Sequence, residues 1–220
     1  MRRNYVVRSL AAIFLIAAAV APEARAEEGL EFVPAPVKAD APAGVRDFFR
    51  RADEDRRVQW RYAMRALEAA DKALGELRAA QGVDPKEQRE KLAGLGVVRD
   101  GILRDTKELA RQFQGPARFV NPLEEGQVGT LDKPITVVEV LSGKSAVVRV
   151  VAYDSRRPGG GKLQYQPVPQ TVVLRYDTKD WTPGKPVEVL GPLSIIGTTK
   201  YDVRTLLELE PIDLKPFLQP

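Results

Sequence analysis

A chain of 220 residues is long enough to bury a substantial core as one or two domains. It contains neither cysteine nor histidine. This excludes disulfide staples, Ser-His-Asp and Cys-His catalysis, and zinc sites of the usual ligand set, so an enzyme here would rely on carboxylates, lysine, tyrosine or serine. The 34 basic and 30 acidic residues give a net charge of +4. Residues 1–26 hold four of the bases (Arg2, Arg3, Arg8, Arg25) and one acid (Glu23), which leaves 30 against 29 in the remainder. So even a balance is no argument for nucleic-acid binding.

The first 26 residues read as a signal peptide. Arg2, Arg3 and Arg8 precede an apolar run over 10–20, and Ala24-Arg25-Ala26 supplies a small-residue cleavage site. The run is shorter than the roughly 20 residues a membrane helix needs, so the expectation is export to the periplasm or beyond, a retained N-terminal anchor being the alternative. Residues 27–44 carry Pro34, Pro36 and Pro42, with Leu30 and Phe32 the large apolar groups, and read as a disordered leader.

A helical hairpin is predicted over 45–115. Trp60, Ala63, Leu67, Ala70, Leu74 and Leu77 recur at spacings of three and four, which keeps them on one face of a first helix over 45–81. The preceding run Arg50-Arg51-Ala52-Asp53-Glu54-Asp55-Arg56-Arg57 is charged all round and reads as a solvated helix surface held by i,i+3 and i,i+4 pairs. Gly82-Val83-Asp84-Pro85 breaks the helix. Asp84 is placed as an N-cap, Pro85 as the first helical residue and Glu87 at the position a capping box requires. Leu92, Leu95, Val98, Ile102, Leu109 and Phe113 line a second helix reaching Gln114, and Gly94, Gly96 and Gly101 either weaken it or allow close packing. Phe48 and Phe49 are the large apolar groups of the first helix outside its stripe. They are expected to meet the β-domain, a second copy or a protein partner, which makes them candidate partner-interface residues through the helical arm.

After a connector over 116–134 the period changes from 3.6 to 2. Runs at 135–141 and 146–153 flank Ser142-Gly143-Lys144-Ser145, a hairpin signature, and 171–176 repeats the pattern after a proline- and glycine-rich loop. Runs at 187–190 and 193–196 flank Gly191-Pro192, and a final run ends at Pro211, in which Leu206 is out of phase with Val203, Thr205, Leu207 and Leu209. Strands with no intervening helix exclude a parallel sheet. The predicted fold is α+β: a long N-terminal α-helical hairpin followed by a small antiparallel β-barrel over 135–214, SH3-like or OB-like, with a tail over 215–220. Val187-Glu188-Val189-Leu190-Gly191-Pro192-Leu193, Gly197-Thr198-Thr199-Lys200-Tyr201 and Leu207-Glu208-Leu209-Glu210-Pro211 resemble a module of uncharacterised secreted bacterial proteins. The resemblance covers about the C-terminal third, implies the same fold and carries no activity.

Arg156-Arg157-Pro158-Gly159-Gly160-Gly161-Lys162 fails as a phosphate loop, because Leu163 stands where Ser or Thr must follow the lysine and no helix begins there. Tyr153, Arg156, Arg157, Lys162 and Tyr165 are candidate ligand-binding residues, three cations and two rings suited to glycans or anionic polymers, against a plain solvated loop. Trp181 reads as a cap on one end of the barrel. Thr198, Thr199 and Tyr201 are placed at a tight turn for which Gly197 supplies positive φ. No cofactor or metal is expected. The functional expectation is a non-enzymatic exported protein, an envelope-associated interaction or scaffold module. The alternatives are a carboxylate-dependent hydrolase of carbohydrates or peptides, and polyanion or glycan binding through 153–165.

Overall fold

The computed structural model describes residues 29–82, 84–111, 117–156 and 164–219, with the backbone alone at 155, 156, 164 and 165. The expected signal peptide lies outside the described residues. Two helices come first, α1 (Ala43–Ala79) and α2 (Pro85–Arg111). Seven strands follow: β1 (Val128–Thr130), β2 (Ile135–Ser142), β3 (Ser145–Arg156), β4 (Gln164–Arg175), β5 (Pro186–Val187), β6 (Pro192–Tyr201) and β7 (Arg204–Pro211), with a 3-10 turn at Lys215–Phe217. The class is α+β, with a helical hairpin and a largely antiparallel sheet. Among the described residues no helix is long and apolar enough to cross a membrane. Two compact units share the chain: Met1–Pro34 with Glu54–Gln112, and Ala35–Asp53 with Phe113–Pro220. The division therefore falls inside α1, whose first three turns belong to the sheet unit and not to a hairpin starting at residue 45.

In the helical unit α2 starts as its sequence requires. The Asp84 carboxylate accepts the Glu87 amide (3.3 Å), Pro85 takes the first position, and Glu87 pairs with Lys91 at 2.7 Å. Ala63, Leu67, Ala70 and Leu74 of α1 are buried, as are Thr106 and Ala110 of α2, while Leu92, Leu95, Ile102 and Leu109 are half-buried. Polar ties join the two helices: the Gln88 amide donates to the Leu77 carbonyl (2.6 Å) and Arg99 pairs with Asp71 (2.8 Å). A Cβ added at Gly94, Gly96 or Gly101 would meet nothing within 4 Å, so these glycines do not serve close helix packing. Val98, placed on the packed side by its spacing, is exposed.

The leader is ordered where it is described, which corrects the expectation of a free segment. In the helical unit Leu30 is buried and its carbonyl accepts the Trp60 indole N–H (3.0 Å). Phe32 packs edge-on to Trp60 at 6.0 Å, under the guanidiniums of Arg56 (4.3 Å) and Arg57 (4.9 Å). Val33 donates to the Ala110 carbonyl (3.1 Å) and accepts from Arg56, a buried arginine. The charged run is thus no plain solvated surface: its guanidiniums are used to hold backbone and ring together.

The sheet unit has the strand order β1-β6-β7-β4-β3-β2-β5, antiparallel except for a short parallel contact between β4 and β7. The edges are β1 and β5, and no ladder joins them among the described residues. The expected closed barrel is therefore replaced by an open sheet. The two-residue turn Gly143-Lys144 joins β2 to β3, with Ser142 opposite Ser145. Alternation sends Ala146, Val148, Val150, Ala152, Val172 and Leu174 into one core with Ile135, Val137, Leu193, Ile195, Leu209 and Phe119. The other face is covered by its own hairpin. β6 and β7 pair through to Tyr201 and Arg204, and Leu206 and Tyr201 close over Val147 and Val173. The register shift between Ile195 and Gly197, whose φ is 151°, gives that hairpin its bend.

Two departures from the sequence reading have clear causes. β4 begins at Gln164 although Pro167 and Pro169 interrupt it. These positions share parity with Val173, which faces β7, and β7 pairs only with 173 and 174. Both prolines therefore sit where no ladder donor is needed. The tight turn lies at Asp202, with φ 53°, so Gly197 serves a bulge and Thr198 and Thr199 lie within β6.

Candidate functional site

The β3–β4 hairpin carries the residues singled out as a ligand site, and its ladder runs out to Arg156 opposite Gln164. Arg157 and Lys162 lie outside the described residues. Arg156 and Tyr165 are placed by backbone alone, on the last two rungs. Tyr153 is not at the tip. It is buried, its amide donates to Phe119 O (2.9 Å) and its carbonyl accepts from Asn121 N–H (2.9 Å). Its hydroxyl donates to Asp132, with both carboxylate oxygens within 2.8 Å, and Arg118 completes the cluster at 3.0 Å from Asp132 and 5.0 Å above the ring. Burial, the hydrogen bond to Asp132 and that carboxylate's charge together push the phenol above its ordinary pKa, against an opposing pull from Arg118. The ring is thereby withdrawn from stacking on a ligand, and the hydroxyl stays protonated. The cluster fixes the connector to β3.

Tyr201 behaves alike. Its hydroxyl donates to Glu139, and that hydrogen bond, followed by desolvation and the Glu139 charge, raises its pKa. Trp181 stacks on Tyr176 at 5.7 Å and packs on the main core, while Thr178 is buried and its amide donates to Gly143 O (3.1 Å).

Phe48 and Phe49 are 3% and 2% exposed and pack edge-on to each other at 5.5 Å. Val45, Ala52, Ala117 and Val128 enclose them, with Ile212, Leu214, Phe217 and Leu218 packed outside. As partner-interface residues they are corrected: their apolar surface is consumed within the sheet unit and none is left for a partner. Arg51 locks the same helix start, donating to Val128 O (2.7 Å) and to Arg118 O while paired with Asp47 (2.7 Å). Burial by itself would raise the Asp47 carboxyl, but the hydrogen bonds from Arg50 and Arg51 outweigh it and hold it below the ordinary value.

Two grooves lie in the helical unit. One groove of about 500 Å³ is lined by Asp71, Leu74, Arg78, Leu92, Gly96, Arg99 and Asp100, with the Arg99–Asp71 pair inside it. A second, of about 530 Å³, follows α2 from Asp100 to Arg111. In both, acids stand beside arginines. Among the described residues no cluster of three or more acids is placed to hold a metal ion. The same unit leaves large apolar groups in water: Val58 and Tyr62 on α1, and Val98 and Val97 on α2, the last 75% exposed. Ala93 and Gly94 beside Val97 are exposed too, so this part of α2 is an apolar strip that no described residue covers. The spacing placed Val98 on the packed side and left Val97 outside the stripe, so neither was expected to be an exposed face. Compared with known proteins, the chain matches no family model, no curated relative and no solved structure.

Proposed function

We propose that this is a non-enzymatic exported protein, an envelope-associated interaction or scaffold module whose helical unit presents the docking surface. The observation that carries the reading is the uncovered strip of α2, where Ala93, Gly94, Val97 and Val98 stand exposed together. A contiguous apolar strip rimmed by charges is characteristic of an interaction surface, whereas scattered apolar residues are not. Tyr153 and Tyr201 support it from the other side, since each donates its hydroxyl to a carboxylate that raises its pKa and is poorly suited to nucleophilic work. Export rests on the N-terminal pattern of Arg2, Arg3, Arg8, the apolar run and Ala24-Arg25-Ala26.

The test is a photocrosslinking amino acid placed at Val97 in the producing cell, with Val203, in the β6–β7 turn, as control. Discrete adducts at 97 and none at 203 are expected. Equal or absent labelling at the two positions would refute the docking surface. Turnover of glycan or peptide substrates that disappears on changing one carboxylate would overturn the non-enzymatic reading.

A further inference from the structure

We propose that the uncovered face of α2 pairs with the same face of a second copy of this chain, antiparallel, about a two-fold axis through Val97. This rests on the reading of that face as a docking surface and names its occupant. At 100° per residue, positions 86, 90, 93, 97, 101, 104 and 108 fall within about 40° of one line along the helix. Lys86, Glu90, Ala93, Val97, Arg104 and Glu108 on that line are exposed and Gly101 is half-exposed.

The charges along this line are complementary to themselves. In an antiparallel pair centred on Val97, a residue a given number of positions before 97 meets the residue as many positions after it in the other copy. Lys86 then meets Glu108, Glu90 meets Arg104, Ala93 meets Gly101, and Val97 meets Val97. Both charged contacts on the central line therefore join opposite signs. A parallel pair in register would instead set each charge against its own like, which excludes that arrangement. The middle of the line carries no charge and little bulk. Added Cβ atoms at Gly94 and Gly101 would meet nothing, so a second backbone can approach there while the valines fill the centre. Among the described residues Lys86, Glu90 and Glu108 form no ion pair, and Arg104 makes a 3.6 Å contact with its neighbour Asp105 while remaining largely exposed. These side chains are available to a second copy.

The contact runs over about 33 Å of helix. One helix face is smaller than a standard interface, so the dimer is reversible and weakens as salt rises.

Sedimentation velocity on the purified protein across a concentration series tests this. The parent chain should pass from monomer to dimer. Glu90→Arg sets an arginine against Arg104 of the second copy, and Arg104→Glu sets a glutamate against Glu90; each should remain monomeric with unchanged helical circular dichroism. An equimolar mixture of the two variants restores opposite charges at both contacts and should dimerise again. Since the chain has no cysteine, Val97→Cys should also give a single oxidised dimer where Val203→Cys does not. A parent chain that stays monomeric, single reversals that leave the dimer intact, or a mixture that fails to recover it would each overturn the proposal. A monomeric chain that still forms adducts at Val97 with another protein would refute the second copy and leave the docking surface standing. A monomeric chain without adducts would remove both.

Discussion

Single side chains decide how the connector is held. Tyr153 donates to a carboxylate that Arg118 also grips, so Tyr153→Phe removes one charge-assisted hydrogen bond while leaving Asp132 paired. The expected loss is about 1–3 kcal/mol in a urea melt at neutral pH. Because the folded pKa lies above the unfolded one, this contribution is complete below about pH 10 and is lost as the pH climbs through the folded value. The stability difference between parent and Tyr153→Phe should therefore be flat from neutrality to about pH 10 and shrink above it. Glycine positions give a second test, with opposite signs for the same substitution. At Gly75, in an exposed helix interior, an added Cβ meets nothing, so Gly75→Ala should stabilise by up to about 1 kcal/mol. At Gly44, also helical, the added atom would lie 1.8 Å from the Gly126 carbonyl oxygen, so Gly44→Ala should cost about 1–3 kcal/mol despite alanine's better propensity. Thermal melts of the two variants should move in opposite directions.

At the level of elements, the start of α1 is a core component of the sheet unit. Phe48→Ala or Phe49→Ala should cost about 3–5 kcal/mol and lower the melting temperature without altering oligomeric mass. A change of mass with an unmoved melting temperature would show that these rings serve association. That they needed burial was legible in the sequence, since two adjacent phenylalanines outside the helical stripe have nowhere to go on their own helix. What covers them was not, because Val128, Ile212, Phe217 and Leu218 lie far along the chain and carry no periodic mark. Both helices and the Gly143-Lys144 turn were legible from period and turn chemistry. β1 was not, with three residues in a connector, nor was the first half of β4, whose prolines mimic a loop until its unpaired edge is known. Leu206 broke the alternation of β7 because that strand buries side chains on both faces of the sheet. The candidate site divides in the same way: the cations of the β3–β4 hairpin could be picked out, but the engagement of Tyr153 by Asp132 depends on a fold that brings two separate segments together.

For the whole molecule, the expected tail proves to be structural. Val37 bridges Leu218, Lys38 donates to Phe217 O (2.9 Å) and Gln219 to Pro36 O (2.7 Å), all within the sheet unit. Removing residues after Pro211 should uncover the Phe48–Phe49 cluster, read as faster amide hydrogen exchange over 45–52 with little change in the β3–β4 ladder. A further consequence follows from Val33, which is tied to both Arg56 and Ala110 inside the helical unit. The helices leave and return at one place, so Glu54–Gln112, an insertion within the sheet unit, is short-circuited once the hairpin forms. An unfolded insertion of that length must be closed as a loop, and a folded one leaves only a few residues to close, a difference of about 2 kcal/mol in chain entropy. The helices therefore favour the sheet without having to touch it. A substitution that melts only the hairpin, such as Leu67→Asp, should raise hydrogen exchange throughout the β3–β4 ladder by about the factor that this entropy implies, some tens of fold.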